Sequence, residues 1–185
     1  MMLHIEKDDL RRTAGQLDAL YTALKCFIYY TEIKNRHDTE KQNTNCWDFI
    51  EFTLLYTMLI NWNEVFGINT KSDHWKEITL EQDEYTDTLY AAGGYTYTSW
   101  YEFRRNINDL KNNFISFPDP YHHKNQNYDL EGIRTSLVVT HNWLHGLIAN
   151  SEGILSKEEA DKWPIMNKNL IEELKKEIQV ALDNA

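Results

Sequence analysis

One amphipathic stripe near the middle of the chain constrains the fold more than any other feature. Its apolar members, three and four positions apart, are Trp100, Phe103, Ile107, Leu110 and Phe114. This spacing marks one face of an α-helix. Ser99 and Glu102 have the spacing of a capping box, and Pro118 disfavours helical geometry in the residue before it. We therefore predict a helix that begins at residue 99, ends before Pro118 and brings a polar segment to one end of a helical bundle.

Two helices of the same period are predicted before this stripe. The first runs from about residue 8 to about residue 34, and a polar loop with a solvated His37 follows at residues 35–43. The second lies between Asn45, which with Asp48 forms a capping pattern, and Gly67, which we expect to end it in the left-handed conformation. Because this second helix is apolar around most of its circumference, we predict that other helices surround it.

Further helical segments follow, and the chain has only 7 Gly and 3 Pro to interrupt them. We predict a segment from about residue 79 that ends at Gly93 and Gly94, and a helix at about residues 129–149. A short helix with caps at Ser156 and Glu159 and a last amphipathic helix complete the pattern. The sequence predicts one all-α domain over residues 1–185: a four-helix bundle at about residues 8–149 with additional short C-terminal helices at about residues 156–183.

The charge of the chain limits its partners. A net charge of −10 opposes extended DNA binding, although a local basic pair, Arg104 and Arg105, remains compatible with a nucleic-acid contact. The charged N-terminal residues lack the apolar core of a signal peptide, and polar groups interrupt the most apolar run, so we expect no membrane span. Cys26 and Cys46 form no disulfide framework, which favours a cytoplasmic location.

Histidines are the main candidates for chemistry, because no glycine-rich phosphate loop or nucleophile elbow is present and no cofactor is expected. His141 and His145 are one helical turn apart, so both can face one metal ion, and His122 and His123 could approach them. The alternative is that His141 is a hydrogen-bonded core residue.

Metal-independent RNA cleavage needs a histidine to move protons and a cation to stabilise the phosphorane. Arg134 and His141 lie on nearly the same helical azimuth, about 10 Å apart along the axis. That distance is long for one phosphate unless both side chains bend inward. The alternative is that Arg134 is a solvated residue beside the buried face.

Two segments resemble the abortive-infection branch of the HEPN superfamily, over about residues 10–149. WNEVFG at residues 62–67, followed by HW at residues 74–75, is similar to that branch's W-x-x-x-F-G at a helix end and its downstream H-W. DLKNNFISFPD at residues 109–119 is similar to its R-D-K-x-x-A-H segment.

The resemblance implies a ribonuclease centre, with its arginine on Lys111, its next polar residue on Asn112 and its histidine on Phe117. Phenylalanine transfers no proton, and lysine lacks the bidentate fork of arginine. The chain is therefore expected to be a catalytically degenerate, HEPN-like protein that acts through protein or RNA contacts in bacterial defence or a toxin–antitoxin setting, and by resemblance a homodimer. Two alternatives stay open: an active ribonuclease that uses Arg134 with His141, or with His122 or His123, and a metal-binding bundle.

Overall fold

Six α-helices make up the computed structural model over the residues that it describes, which are 7–40, 45–67, 82–116, 118, 128–149 and 162–184. They are α1 (Lys7–Glu40), α2 (Asn45–Phe66), α3 (Gln82–Gly93), α4 (Tyr97–Ser116), α5 (Leu130–Ala149) and α6 (Lys168–Asp183). These ranges contain no strand, so the all-α prediction is confirmed, with four long helices and two shorter ones. Within them, no helix has both the length and the apolar content needed to cross a membrane. The short helix predicted near Ser156 lies outside the described residues.

Helix α1, rather than α2, is the helix that most others contact. It packs along α2 and also meets α5 and α6, whereas α2 packs against α1 and α4, and α3 packs against α5. The prediction that α2 is surrounded is wrong, because its apolar surface extends into solvent: the Phe49 side chain is 61% exposed. With 34 residues, α1 is about 50 Å long, which is long enough to pack against three other helices. One buried cluster contains side chains of all six helices.

The C-terminal end of α1 extends beyond the predicted boundary. Residues 35–40 are helical rather than a loop, and tertiary contacts hold them. Arg36 Nη1 lies 2.7 Å from Asp183 Oδ1 of α6, and His37 Nδ1 lies 2.6 Å from Glu51 Oε1 of α2. The prediction of a solvated His37 is therefore wrong. Polar side chains suggested a loop, but here they join α1 to its neighbours.

Helix α4 begins two residues before the predicted start. The Thr96 backbone N–H donates to Ser99 Oγ at 2.8 Å, and the Ser99 backbone N–H donates to Thr96 Oγ1 at 3.2 Å. This reciprocal cap uses Ser99 as the inner partner, so the predicted box of Ser99 with Glu102 is wrong. The apolar stripe of α4 is confirmed in its buried members, which are Trp100, Phe103, Ile107 and Phe114.

Arg104 caps the C-terminal end of α2. Its guanidinium donates from Nε to the Phe66 carbonyl at 2.5 Å and from Nη2 to the Gly67 carbonyl at 2.6 Å. Gly67 does not take the predicted left-handed conformation; among the described glycines only Gly94, with φ 66°, does. A cation at a helix C-terminus interacts favourably with its carbonyl dipoles. Because Arg104 is buried and engaged here, it is not the solvent-facing half of a basic pair.

Trp62 ties α2 to α5 one turn before this cap. Its indole Nε1 donates to Ser136 Oγ at 2.8 Å, and its ring makes edge contacts with Trp100 and Phe103 of α4. The end of α2 is thus held by a buried hydrogen bond on one side and a buried cation on the other.

The cap predicts that Arg104→Met destabilises the protein strongly. The change leaves two helix-end carbonyls without their cationic donor, and we expect the free energy of unfolding to fall by about 3 kcal/mol. Urea denaturation followed by circular dichroism measures this. Arg105→Met, an exposed neighbour on the same helix, is the matched control and should stay within about 0.5 kcal/mol of wild type. Equal effects of the two changes would contradict the capping role.

Candidate functional site

The end of α4 carries the described part of the segment that resembles the family's R-D-K-x-x-A-H segment. Lys111 is half-buried and donates from Nζ to Asn108 Oδ1 at 3.3 Å, while Asn112 is exposed. The other predicted residues of this region, Phe117, His122 and His123, lie outside the described residues, as do His74 and Trp75. Lys111 is therefore held along its own helix by a neighbouring amide.

Arg134 and His141 occupy opposite environments on α5. Arg134 lies on an accessible side of the helix, with Nη1 2.9 Å from Glu131 Oε1. His141 has no exposed surface. The pair therefore does not present two groups to one phosphate, and Arg134 fits the solvated alternative predicted for it.

His141 is buried without the hydrogen bonds expected of a core histidine. Neither ring nitrogen has a hydrogen-bond partner among the described residues. The amide of the adjacent Asn142 is occupied instead, since its Nδ2 donates to the Met166 carbonyl and its Oδ1 accepts from the Met166 N–H. Burial lowers the pKa of His141 from 6.5 to about 4; the adjacent Asn142 side chain opposes this shift, and His145 makes a smaller contribution in the same direction as burial. The imidazole is therefore neutral at pH 7.

The rings of His141 and His145, the predicted metal ligands, are neighbours, with centroids 6.5 Å apart. The centroid of the Tyr21 ring of α1 also lies 6.5 Å from that of His141. In the described ranges, no group of three His, Cys, Asp or Glu side chains is arranged to hold a metal ion. Zinc sites usually take at least three protein ligands, so the metal hypothesis stays a prediction that needs ligands from elsewhere in the chain.

A groove lies between α4 and the start of α5. Its volume is about 590 Å³, within the range of known ligand sites. Three carboxylates and two tyrosines stand among the residues that line it. The lining residues that the structure describes are Tyr95, Ser99, Glu102, Phe103, Asn106, Ile107, Asp109, Leu110, Asn113, Tyr128 and Asp129. None of these eleven is lysine, arginine or histidine, so the described lining of the groove is acidic.

Close packing fixes one wall of this groove. Asp129 caps α5, where its Oδ1 accepts from the Gly132 N–H at 2.9 Å. A methyl group at Gly132 would come within 2.5 Å of the Tyr95 hydroxyl oxygen and 2.8 Å of Asp129 Oδ2, so only glycine allows this approach. Burial and the Asp129 charge raise the pKa of Tyr95 to about 12, which keeps the phenol neutral. Tyr95 also stacks on Phe103 with centroids 5.4 Å apart.

The sequence contains a pattern of polar residues that marks the groove and belongs to none of the motifs described above. Beside the apolar stripe of α4 runs a polar one with the same spacing, made of Ser99, Glu102, Asn106, Asp109 and Asn113. All five line the groove. The other wall includes Tyr128 and Asp129, just before and at the cap of α5. The helical spacing within α4 cannot predict that these residues lie beside it.

Comparisons with protein-family models, with curated proteins and with solved structures find no match to this chain.

The buried His141 predicts a specific loss of stability in mild acid. Its pKa is about 4 when folded and near 6.5 when unfolded, so the unfolded chain takes up the proton first as pH falls. This contribution to stability is intact above pH 6.5 and is lost toward pH 4. Between pH 7.5 and pH 5 wild type should lose about 2 kcal/mol more than His141→Met.

Urea unfolding at both pH values measures this difference, with His145→Gln as the control that retains His141. An equal pH dependence in wild type and His141→Met would contradict the neutral buried histidine.

Proposed function

We propose that this chain is a HEPN-like, catalytically degenerate helical protein that acts through contacts with another macromolecule in a bacterial defence or toxin–antitoxin setting. The similarity of residues 62–67 and 109–119 to that family supports it. A homodimer belongs to the proposal through the same resemblance, and a cytoplasmic location belongs to it because the two cysteines form no disulfide framework.

The observation that carries the proposal is the placement of the one Arg-x6-His pair on α5. His141 is buried and neutral, and Arg134 is bound to Glu131 on an accessible side. A general acid or base must reach the proton it transfers, at about 3 Å or through one water. The six residues between Arg134 and His141 fit the family's spacing of four to six between arginine and histidine. This pair is nevertheless unsuited to the reaction, which favours binding over cleavage.

The roles of the resembling residues support the same proposal. Trp62, Phe66 and Gly67 lie at the end of α2, where a buried hydrogen bond and the Arg104 cap hold them. At the family's arginine position, Lys111 is engaged by Asn108. Residues that position helices are present, whereas the arginine and histidine of the family's centre are replaced.

Protein contacts are favoured over RNA contacts. The chain has a net charge of −10, and the described lining of the groove along α4 contains three carboxylates and no basic side chain. Such a surface repels phosphate groups, and Arg104, half of the predicted basic pair, is used inside the fold.

The proposal predicts no ribonuclease activity in purified wild-type protein. Incubation with structured and unstructured RNAs, with and without divalent cations, should leave the RNAs as intact as in a protein-free blank. Gel separation of end-labelled RNA measures this, and an authentic ribonuclease on the same substrates shows that the assay detects cleavage.

Robust cleavage that falls by about 100-fold or more in His122→Gln, His123→Gln or Lys111→Ala would overturn the degenerate reading. Cleavage lost in His141→Gln, with the free energy of unfolding unchanged, would instead assign the active alternative to α5. Lys176→Ala, an exposed lysine on α6 outside every candidate site, is a matched surface control for Lys111→Ala.

A further inference from the structure

We propose that the groove along α4 binds a basic segment of a partner protein, with lysine or arginine side chains beside Glu102 and Asp109. This inference deepens the proposed function, on which it rests for the idea of a protein partner, because it names the chemistry of that partner.

Charge complementarity is the first argument. Glu102, Asp109 and Asp129 line the groove, and none of the eleven lining side chains in the described part of the chain is basic. Among the same described residues, Arg105 Nε lies 3.9 Å from Asp109 Oδ2, and both side chains are more than half exposed. Such a pair is weak, so Asp109 remains able to bind an incoming cation.

The shape of the groove is the second argument. Its lining on α4 extends from Ser99 to Asn113, a length of about 21 Å along the helix axis. A single small amine occupies only a fraction of that length. Glu102 and Asp109 are two turns apart, about 10 Å, which matches one three-residue turn of a peptide in the polyproline II conformation, where side chains three positions apart lie on the same face. The structure therefore suits a segment with two basic side chains three positions apart.

The walls suit the stems of such side chains as well as their charges. Phe103, Ile107 and Leu110 supply apolar surface, and Tyr95 supplies an aromatic ring. Lysine and arginine bury their methylene stems along apolar surface while the charged ends stay in water. A cation above an aromatic ring is attracted further by the negative face of the ring.

Other occupants fit less well. RNA brings phosphates to three carboxylates, which repel them. A second copy of this chain carries the same net charge of −10, so the docking of an acidic surface in the groove is opposed.

The test uses the full chain and two labelled peptides in a serine–alanine background, one with two lysines three residues apart and one with the two lysines adjacent. Fluorescence anisotropy should show that the spaced peptide binds several-fold more tightly than the adjacent-lysine peptide. In NMR spectra of the protein, the amide chemical shifts that change when the spaced peptide is added should belong to residues of α4. The variant Glu102→Gln/Asp109→Asn/Asp129→Asn should bind it about tenfold more weakly. Asparagine at position 129 keeps an acceptor for the α5 cap.

The matched control is Asp83→Asn/Glu84→Gln/Asp87→Asn, which removes the same charge from exposed positions of α3 outside the groove. Equal loss in the two variants would show diffuse attraction and overturn the proposal. If the triple groove variant unfolds, Glu102→Gln/Asp109→Asn tests the same prediction with the cap intact.

Spermidine and a single-stranded oligouridine serve as competing probes. Weaker displacement of the spaced peptide by spermidine than by unlabelled peptide supports a peptide site, and equal or stronger displacement overturns it in favour of a small amine. Tighter binding of oligouridine than of the peptide also overturns it. Absent peptide binding with absent RNA cleavage refutes the groove assignment alone, whereas RNA cleavage refutes the proposed function whatever the peptide does.

Discussion

The contact of Arg104 with the end of α2 is the interaction on which the arrangement of the bundle depends. A buried guanidinium loses hydration, which lowers its pKa, and the two carbonyls of Phe66 and Gly67 offset that loss only in one geometry. The contact therefore fixes where α4 crosses the end of α2. It also fixes the rotation of α4 about its own axis, because Arg104 must point inward. That rotation turns the polar stripe of α4 toward the start of α5 and so creates the acidic groove.

How much the sequence predicted depends on whether an interaction is local. The period of three and four predicted the four buried apolar residues of α4, since burial of one face is a property of the helix itself. Boundaries set by distant partners were missed. The α1 terminus is held by Asp183 and Glu51, and the end of α2 is held by Arg104 rather than by a left-handed Gly67. No window of neighbouring residues contains these partners.

The candidate site follows the same division. Spacing along α5 placed Arg134 and His141 on nearly one azimuth, but azimuth alone does not decide burial. Packing against α1 encloses His141, while Glu131, three residues away, engages Arg134 outside. The groove was missed for the opposite reason. Its polar stripe was readable on α4, yet its second wall, Tyr128 and Asp129, comes from a segment that only the tertiary fold brings alongside.

The apolar and polar stripes of α4 have different roles. The apolar stripe with Arg104 binds the helix to the bundle, and its members are held by rings on α2 and by the Phe66 carbonyl. The polar stripe is not needed for the cap of α4, because Thr96 and Ser99 supply it without Glu102. Carboxylates grouped along one groove repel each other, so they lower stability unless a cation sits among them. Within the fold, Asp109 has only the weak, exposed pair with Arg105 to offset this repulsion, whereas the basic segment that we propose for the groove would offset it more fully; this difference favours a binding role for α4.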